Sequence, residues 1–576
     1  MRSVVCQHGG EQAASSVEPR RWSFASRRSP VLATRGMVAC TQPLASEAGL
    51  RILQKGGTAA DAAVAMAAAL NVTEPCCTGI GGDAFVLYYE AATKKVHCKL
   101  GCGKSPQGLT MEAVRKRGIF GTEMPPFHAL TVMVPGAAML WEETINKWGK
   151  LTMSEVLEPA VTLAENGFPV APIAAELWQG QQEDLKGPGH DAFLNSSGTA
   201  PRAGEVMFNR DLGRTFRELA SKGAKEGFYS GRIADAMVKC VRDLDGVLSS
   251  TDLLSHCCMD VQPIRTRYRG NDVWEVPPPT QGIVALMALN HLEGSGGLGG
   301  MEWGEGKHLH SGIEAIRLAF FDALQYNGDP DITPVPIDTF LDKGYAERRR
   351  EECGSGPKAA VLDKPLNTKE IERSVVGGGD TVYFSVVDSE GNGCSFIMSN
   401  YMGFGTGIVP EGCGFTLQNR GHNFTLEENH PNCLGPSKRP YHTLIPGICT
   451  RPNGDLHAVF GVMGAFMQPQ GHLQVLSNMM DFGMDPQSAL DAPRFYVIGV
   501  DSSIGPKCVR TSKVWLEEGF SEATIRDLVS RGHAVFPGIT GSTRIMFGKG
   551  QIIVRDEAGV LWGGSDPRGD GLALGW

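Results

Sequence analysis

The sequence lacks an apolar run of about 18 residues, the length that a membrane-spanning helix requires. The longest candidate, residues 59–72, is mostly alanine and is interrupted by Asp61. An excess of positive charge is also missing, because the net charge is −9 and the isoelectric point is about 5.9. Since an acidic surface repels phosphate backbones, we expect neither a membrane nor a nucleic acid as a partner.

A cysteine spacing typical of disulfide frameworks or zinc sites is missing as well, although the chain contains 15 cysteines. The count is odd and no Cys-x-x-Cys pair occurs, which argues against a disulfide framework and against a zinc ribbon. Adjacent cysteines, such as Cys76 and Cys77 or Cys257 and Cys258, rarely form a bridge. We therefore expect small, reduced thiols in the core of a cytoplasmic protein.

The first 30 residues contain no apolar segment of the kind that a secretory signal requires. They are rich in serine and arginine, including Arg20, Arg21, Arg27 and Arg28. We predict a disordered leader over residues 1–35, with organellar targeting as the alternative interpretation. The predicted location of the protein is cytoplasmic.

What the sequence does contain is ample material for a core, because 42% hydrophobic and 20% charged residues exclude a disordered chain. Helical patterns dominate before Gly377 and strand patterns dominate after it. Helices are predicted from Ser46 as N-cap to residue 55, from residue 58 or 61 to 73, and over residues 135–148, 152–166, 210–221, 232–241, 284–292 and 307–325. Strands are predicted over residues 84–89, 381–387, 393–398, 456–462, 544–547 and 552–555. This order, without strand–helix–strand alternation, predicts an α+β layered fold in one structural domain.

One segment carries chemistry: Gly377, Gly378 and Gly379 lead through Asp380 into Thr381, which opens a predicted strand. The ordinary interpretation is a loop followed by an edge strand. The functional interpretation is self-cleavage at Asp380-Thr381, because glycines allow the backbone geometry in which a hydroxyl attacks the preceding carbonyl. Cleavage would free the α-amine of Thr381, whose pKa near 8 suits it to accept the proton of its own hydroxyl.

Many segments, in a fixed order, give the chain its resemblance to a known family. They are Gly56 to Ala63, Thr73-Glu74-Pro75, Gly79 to Asp83, Val134-Pro135-Gly136, Gly167 to Val170, Pro277 to Gly282, Thr381 to Asp388, Lys438-Arg439-Pro440, Asp481 to Met484, Asp491 to Phe495 and Gly564 to Gly571. With these segments the sequence resembles the γ-glutamyltransferase (glutathione hydrolase) proenzymes, in their soluble, lid-lacking branch. The resemblance runs from about residue 36 to residue 576.

The resemblance implies an Ntn-hydrolase fold, an αββα four-layer sandwich whose chain divides into two intertwined subunits. The large subunit would span residues 36–380 and the small subunit residues 381–576, forming a heterodimer after processing. Thr381 would be the nucleophile with its α-amine as the base, and Ser399 the hydroxyl that supports it. The backbone amides of Gly464 and Ala465 would form the oxyanion hole, since alanine still presents its N–H. No cofactor is implied.

The sequence departs from the family where the donor substrate binds. The arginine that holds the donor carboxylate falls on Cys102, and Lys104 could supply a cation but not a bidentate fork. The aspartate that holds the donor ammonium aligns with Asn423, which brings no charge. A pair of serines becomes His442-Thr443; Thr443 keeps a hydroxyl, whereas His442 is larger and can titrate.

Three hypotheses about function follow from this comparison. The default donor is a γ-glutamyl compound, with water or an amino acid or peptide as the acceptor. The alternative is an amidohydrolase with the same machinery that acts on another small acyl amide, oxamate-like or glutaryl-type. The third is an inert homologue that is never processed.

A metal site is not predicted. His308 and His310, with Asp322 and Asp329 downstream, lack the i, i+4 histidine spacing of zinc enzymes, and no His-Glu-x-x-His motif occurs. A polar helix start explains these residues better.

Overall fold

The computed structural model describes residues 28–294, 298–352, 356, 358–359, 379–498 and 513–576. Most of the predicted leader, and the first two glycines before Asp380, lie outside these residues. No helix in the described ranges combines the length and the apolar character needed to cross a membrane. The twelve cysteines within the same ranges are free thiols.

The strands are short and lie in both halves of the chain. They are β1 Val31–Ala33, β2 Met37–Cys40, β3 Asp83–Glu90, β4 Lys95–Gly101, β5 Phe168–Pro169, β6 Val206–Met207, β7 Met259–Val261, β8 Ile264–Tyr268, β9 Asn271–Glu275, β10 Gly379–Val387, β11 Gly393–Met402, β12 Gly447–Thr450, β13 Leu456–Met463, β14 Phe495–Ile498, β15 Lys513–Glu517, β16 Ala534–Ile539, β17 Lys549–Arg555, β18 Leu561–Ser565 and β19 Leu572–Gly575.

Most of the described helices precede β10. They are α1 Pro43–Gln54, α2 Ala59–Thr73, α3 Met111–Lys116, α4 Ala137–Trp148, α5 Met153–Asn166, α6 Pro172–Gln181, α7 Arg210–Gly227, α8 Gly231–Asp243, α9 Ser250–Leu254, α10 Gly282–Gly294, α11 Gly306–Ala323, α12 Ile337–Leu341 and α13 Lys343–Glu352, followed later by α14 Met467–Met480, α15 Pro486–Asp491 and α16 Glu522–Ser530.

Two antiparallel sheets of seven strands form the centre of the fold. The first, which we name the Thr381 sheet, has the order β19-β2-β10-β11-β3-β4-β7. The second, the Gly464 sheet, has the order β1-β18-β17-β13-β12-β9-β8. Each sheet takes strands from both sides of the Asp380-Thr381 bond. Separating the chain at that bond would therefore leave both pieces held by shared ladders of hydrogen bonds.

The side chains of alternate residues show how the layers stack. In β10, Val382 and Phe384 pack into a core shared with α2, α4 and α5, whereas Tyr383 packs between the two sheets. In β13, Val459 joins the core between the sheets and Phe460 packs with α10, α11 and α14. The order of layers is thus helices, Thr381 sheet, Gly464 sheet, helices, which confirms the predicted αββα sandwich.

Two local predictions were wrong. The first helix begins at Pro43 with Gln42 as its N-cap, so Ser46 lies inside the helix, where its hydroxyl donates to the carbonyl of Leu572 at 2.6 Å. Residues 544–547 form the end of a 3₁₀ helix rather than a strand. In both cases the residue makes a contact with a distant part of the chain that the local pattern does not indicate. Ser46 contacts β19, and Arg544 pairs with buried Glu517 at 2.6 Å.

Candidate active site

Three groups, two at the start of β10 and one near the end of β11, form a chain of hydrogen bonds. The Thr381 hydroxyl donates to Ser399 Oγ at 3.0 Å, and the Ser399 hydroxyl donates to the main-chain carbonyl of Asp380 at 2.8 Å. The backbone N–H of Tyr401 also donates to Ser399 Oγ, at 2.7 Å. The nucleophile predicted from the sequence is therefore linked through one hydroxyl to the carbonyl of the bond that it would break.

A β-bulge positions these groups. β10 and β11 pair in regular register except between Asp380 and Val382, where Thr381 alone lies opposite two residues, Ser399 and Asn400. Bulges re-aim side chains locally, and they are frequent beside active sites. Thr381 and Ser399 are almost completely buried, so water does not compete for their hydrogen bonds.

The side chain of Asp380 is held beside the same bond. Its Oδ2 accepts a hydrogen bond from Gln181 Nε2 at 2.6 Å. Burial raises the pKa of this carboxyl to about 7, and the bond from Gln181 acts in the opposite direction. A buried ion pair lies close by, where Lys549 Nζ donates to Glu74 Oε1 at 2.5 Å; the charge of Lys549 favours ionised Asp380, whereas the charge of Glu74 opposes it.

The predicted oxyanion loop lies between β13 and α14. Gly464 has a φ of 137° and Ala465 a φ of 47°, so alanine occupies the left-handed region that favours glycine. Gln281 holds the loop, since its Nε2 donates to the carbonyls of Ala465 and Thr443, both at 2.7 Å. Strained backbone persists only where the surroundings enforce it, and Gln281 supplies part of that enforcement.

A cleft of about 1380 Å³ opens beside the scissile bond. Asp380 and Gly464 both line it, which brings the cleavage site and the oxyanion loop to one cavity. Apolar side chains form much of the remaining wall, namely Phe120, Met124, Phe127, Met402, Met463, Trp515, Ile539 and Met546. The cleft can thus take a substrate with a sizeable apolar portion.

The predicted donor-binding residues separate into two groups. Lys104 points away, because its side chain is 44% exposed and its ammonium lies 3.9 Å from Asp331 Oδ2. Asn423 is buried, and its amide nitrogen donates to the carbonyl of Tyr441 at 3.0 Å. Cys102 is buried as well, and desolvation raises the pKa of its thiol to about 12. These positions therefore supply no charge to the buried site.

His442 and Thr443, in contrast, meet two residues that the sequence analysis missed, Asp83 and Arg420. His442 Nδ1 accepts from the Leu444 N–H at 3.2 Å, which leaves Nε2–H to donate to Asp83 Oδ2 at 3.0 Å. Arg420 Nη1 donates to Thr443 Oγ1 at 2.8 Å. The sequence analysis included Asp83 only as the last residue of the segment Gly79 to Asp83, and Arg420 lies in none of the segments that carry the resemblance.

Burial dominates the electrostatics of this cluster. It raises the pKa of Asp83 to about 7, with Arg420 acting in the opposite direction, and lowers the pKa of Arg420 to about 10. Burial, followed by the charge of Arg420, also lowers the pKa of His442 well below its ordinary value. At neutral pH the cluster thus holds a charged guanidinium and a neutral imidazole, and the Asp83 carboxyl binds a proton more readily than an exposed aspartate does.

We expect the contribution of Asp83 to the free energy of unfolding to fall as the pH rises from about 4 to about 7, and Asp83→Asn to remove this contribution. The folded state binds the Asp83 proton more tightly than the unfolded chain, whose pKa is about 3.9. The stabilisation is therefore complete below pH 4 and is lost as the pH rises through the folded pKa of about 7. Arg420, whose pKa is lowered only to about 10, stays charged throughout this window.

The measurement is urea unfolding of the wild-type and Asp83→Asn sequences at several pH values, both carrying Thr381→Ala so that each is one chain. The slopes should differ by up to about 1.4 kcal/mol per pH unit, the value for one proton. An Asp191→Asn control removes an exposed carboxyl instead and separates the effect of burial from the loss of a charge. Parallel curves for the wild-type and Asp83→Asn sequences would contradict the expectation.

One group among the described residues has the composition of a metal site. Ligand atoms of His310, Glu314 and His533 lie within 4.8 Å of one another, and all three residues are buried. Glu314, however, is paired with the guanidinium of Arg317 at 2.5 Å, which disfavours a second cation. His308 is not part of the group, since its Nδ1 accepts from the Gly304 N–H. The absence of a functional metal stays a prediction.

Comparison with known proteins agrees with this geometry. The sequence profile of the family described as gamma-glutamyltranspeptidase matches residues 45–576. The chain belongs to the gamma-glutamyltranspeptidase family. The resemblance inferred from the motifs is thereby confirmed, and membership places the chain among Ntn hydrolases and transferases.

Family members of several kinds resemble this chain over nearly its whole length. The glutathione hydrolase-like YwrD proenzyme of Bacillus subtilis is 34% identical, covering 95% of this chain and 99% of the relative. The oxamate amidohydrolase proenzyme of Klebsiella pneumoniae is 30% identical, covering 95% and 99%. The crystal structure of a cephalosporin acylase from Bacillus halodurans is 40% identical, with a TM-score of 0.85 and coverage of 98% and 99%. The family is thus shared, while the names of its members differ.

Proposed function

We propose that this chain cleaves itself between Asp380 and Thr381 and then hydrolyses small acyl amides with Thr381 as an N-terminal nucleophile. The observation that carries the proposal is the hydrogen-bonded chain from the Thr381 hydroxyl through Ser399 to the Asp380 carbonyl. Family relatives are named proenzymes, which supports the processing step. All the groups involved are side chains and main-chain amides, so the chemistry needs no metal or cofactor.

Self-cleavage begins with attack of Thr381 Oγ on the carbonyl carbon of Asp380. The Thr381 hydroxyl proton passes to Ser399 Oγ while the Ser399 proton passes to the carbonyl oxygen, so the tetrahedral adduct forms without a net charge. The carbon–nitrogen bond then breaks, and the nitrogen takes the proton of the hydroxyl on the tetrahedral carbon. The carbonyl forms again, now as an ester between Asp380 and Thr381 Oγ. Water hydrolyses the ester, which leaves a carboxylate on Asp380 and a free amine and hydroxyl on Thr381.

Turnover uses the freed residue in the same position. The α-amine of Thr381 accepts the proton of its hydroxyl, and Oγ attacks the amide carbonyl of the substrate. The backbone N–H groups of Gly464 and Ala465 stabilise the developing oxyanion. The amine product leaves, and water, or an amino acid or peptide acceptor, attacks the acyl-enzyme. Residues 36–380 and 381–576 act as large and small subunits of one heterodimer.

The donor that this geometry favours is an acyl amide without an α-ammonium group. The position expected to hold an ammonium carries Asn423, whose amide nitrogen already donates to Tyr441. The position expected to hold a carboxylate carries Cys102, and Lys104 faces solvent beside Asp331. Support also comes from the relatives, since one is named an oxamate amidohydrolase and another a cephalosporin acylase. A γ-glutamyl donor is the competing candidate, supported by the glutathione hydrolase-like relative.

The test begins with purified protein on a denaturing gel and mass spectrometry of its fragments. At about 0.11 kDa per residue, cleavage predicts bands near 41 and 21 kDa and a new N-terminus at Thr381. Kinetic assays with a panel of acyl anilides then measure turnover. A single uncut band together with no turnover would favour the inert homologue and contradict the proposal.

A further inference from the structure

The side chain of Arg420 stands out among the buried charges near the active site. Its guanidinium is stacked 4.4 Å from the ring of Tyr401, and Nη1 donates to Thr443 Oγ1. Nε and Nη2 are inaccessible to solvent, yet they donate to no group in the part of the chain that the structure describes. Buried polar groups are nearly always hydrogen-bonded, so two unpaired donors on one charged group indicate a missing partner.

Asp83 neutralises Arg420 without completing its hydrogen bonds. The distance from Arg420 Nε to Asp83 Oδ2 is 4.0 Å, which is beyond hydrogen-bond range. The same oxygen accepts from His442 Nε2 at 3.0 Å and from Gln418 Nε2 at 3.1 Å. Asp83 is therefore engaged elsewhere, and the free edge of the guanidinium needs a different acceptor.

Arg420 lies between the two halves of the proposed catalytic machinery. On one side, the N–H of Tyr401 donates to the hydroxyl of Ser399, which contacts Thr381. On the other side, Gln281 Nε2 donates both to the carbonyl of Thr443 and to the carbonyl of Ala465 in the oxyanion loop. A ligand group bound to Arg420 would thus lie next to residues that contact both the nucleophile and the oxyanion loop.

We propose that Arg420 binds a carboxylate at the far end of the acyl group, so that the substrates are half-amides of dicarboxylic acids without an α-ammonium. This inference rests on the function proposed above. Nε and Nη2 form one edge of the guanidinium, and two parallel N–H groups on such an edge match the two oxygens of a carboxylate. An ammonium beside that carboxylate would lie close to a fixed positive charge and would find Asn423 in place of an aspartate.

Three anilides test this assignment because they differ by one group at a time. Glutaryl and γ-glutamyl anilides have the same length and carboxylate, and only the second carries an α-ammonium; butyryl anilide lacks the carboxylate. We expect kcat/KM for glutaryl anilide to exceed that for γ-glutamyl anilide by at least 10-fold and that for butyryl anilide by about 100-fold. Glutarate should also inhibit butyryl turnover competitively.

Variants of Arg420 then locate the effect. Arg420→Gln should lower kcat/KM for glutaryl anilide about 100-fold, mostly through KM, and lower that for butyryl anilide much less, so that the preference for a carboxylate is lost. Arg420→Lys should lose about 10-fold, because a lysine keeps the charge but not the fork. The double variant Arg420→Gln with Asp83→Asn removes both buried charges and covers the case in which Arg420→Gln does not fold. Arg217→Gln, which removes an exposed arginine paired with Glu165, is the control.

The outcomes separate the two proposals. Equal or faster turnover of γ-glutamyl anilide, or an equal loss of glutaryl and butyryl turnover in the Arg420 variants, would overturn the inference while leaving the proposed function intact. A fully processed wild-type enzyme that turns over none of the three anilides would contradict the proposed function and the inference with it. Inhibition by glutarate that persists unchanged in Arg420→Gln would place the carboxylate elsewhere.

Discussion

Thr381→Ala is expected to yield one uncut chain of 61.8 kDa and to abolish turnover. The methyl group cannot attack the Asp380 carbonyl, so the ester intermediate does not form and the α-amine is never released. Loss of a nucleophile that acts together with its own base lowers turnover by about 10⁴-fold or more in related mechanisms. The two readouts, gel bands and anilide turnover, are measured on the same preparation.

Thr381→Ser is the matched control for this experiment. It keeps the hydroxyl and the α-amine, so bands near 41 and 21 kDa should still appear, with a slower rate because the freer serine side chain is less well fixed than a β-branched threonine. Wild-type turnover by the alanine variant, or turnover by an uncut wild-type chain, would show that Thr381 is not the nucleophile. Correct folding of the uncut alanine variant is checked by circular dichroism.

Ser399→Ala is expected to slow self-cleavage about 10²- to 10³-fold. The Ser399 hydroxyl is the group that both accepts from Thr381 and donates to the Asp380 carbonyl, at 3.0 and 2.8 Å. Ser399 donates to the carbonyl oxygen and protonates it as negative charge develops there, and loss of such a donor costs about 3–4 kcal/mol of transition-state stabilisation. The measurement is the time course of the uncut band after expression is stopped.

Ser399→Thr is the control, since it retains a hydroxyl on a strand position that accommodates β-branched residues. It should mature within about 10-fold of the wild-type rate. Cleavage of Ser399→Ala at the wild-type rate would remove Ser399 from the processing step. The fraction of Ser399→Ala that does mature can be assayed separately, so that an effect on turnover is not mistaken for an effect on cleavage.

The sequence indicated candidates both for the catalytic centre and for the substrate pocket. Asp380, Thr381 and Ser399, proposed from the glycine run and from the resemblance to the family, lie in hydrogen-bond contact in the structure. Lys104, proposed as a donor-binding residue, has its ammonium near Asp331 in a solvent-exposed position. Its neighbours come from a segment more than 200 residues away, which no local pattern indicates.

Sequence alone determined the family and the layered α+β fold and indicated Thr381 as the candidate nucleophile, because family motifs, strand alternation and glycine-led turns are local properties of the chain. Tertiary structure alone decided the composition of the buried cluster at Arg420. Asp83 and His442 lie 359 residues apart, yet their side chains meet at 3.0 Å beside that guanidinium. Which charges face one another in a low-dielectric interior depends on how distant strands pack, and no local motif specifies that packing.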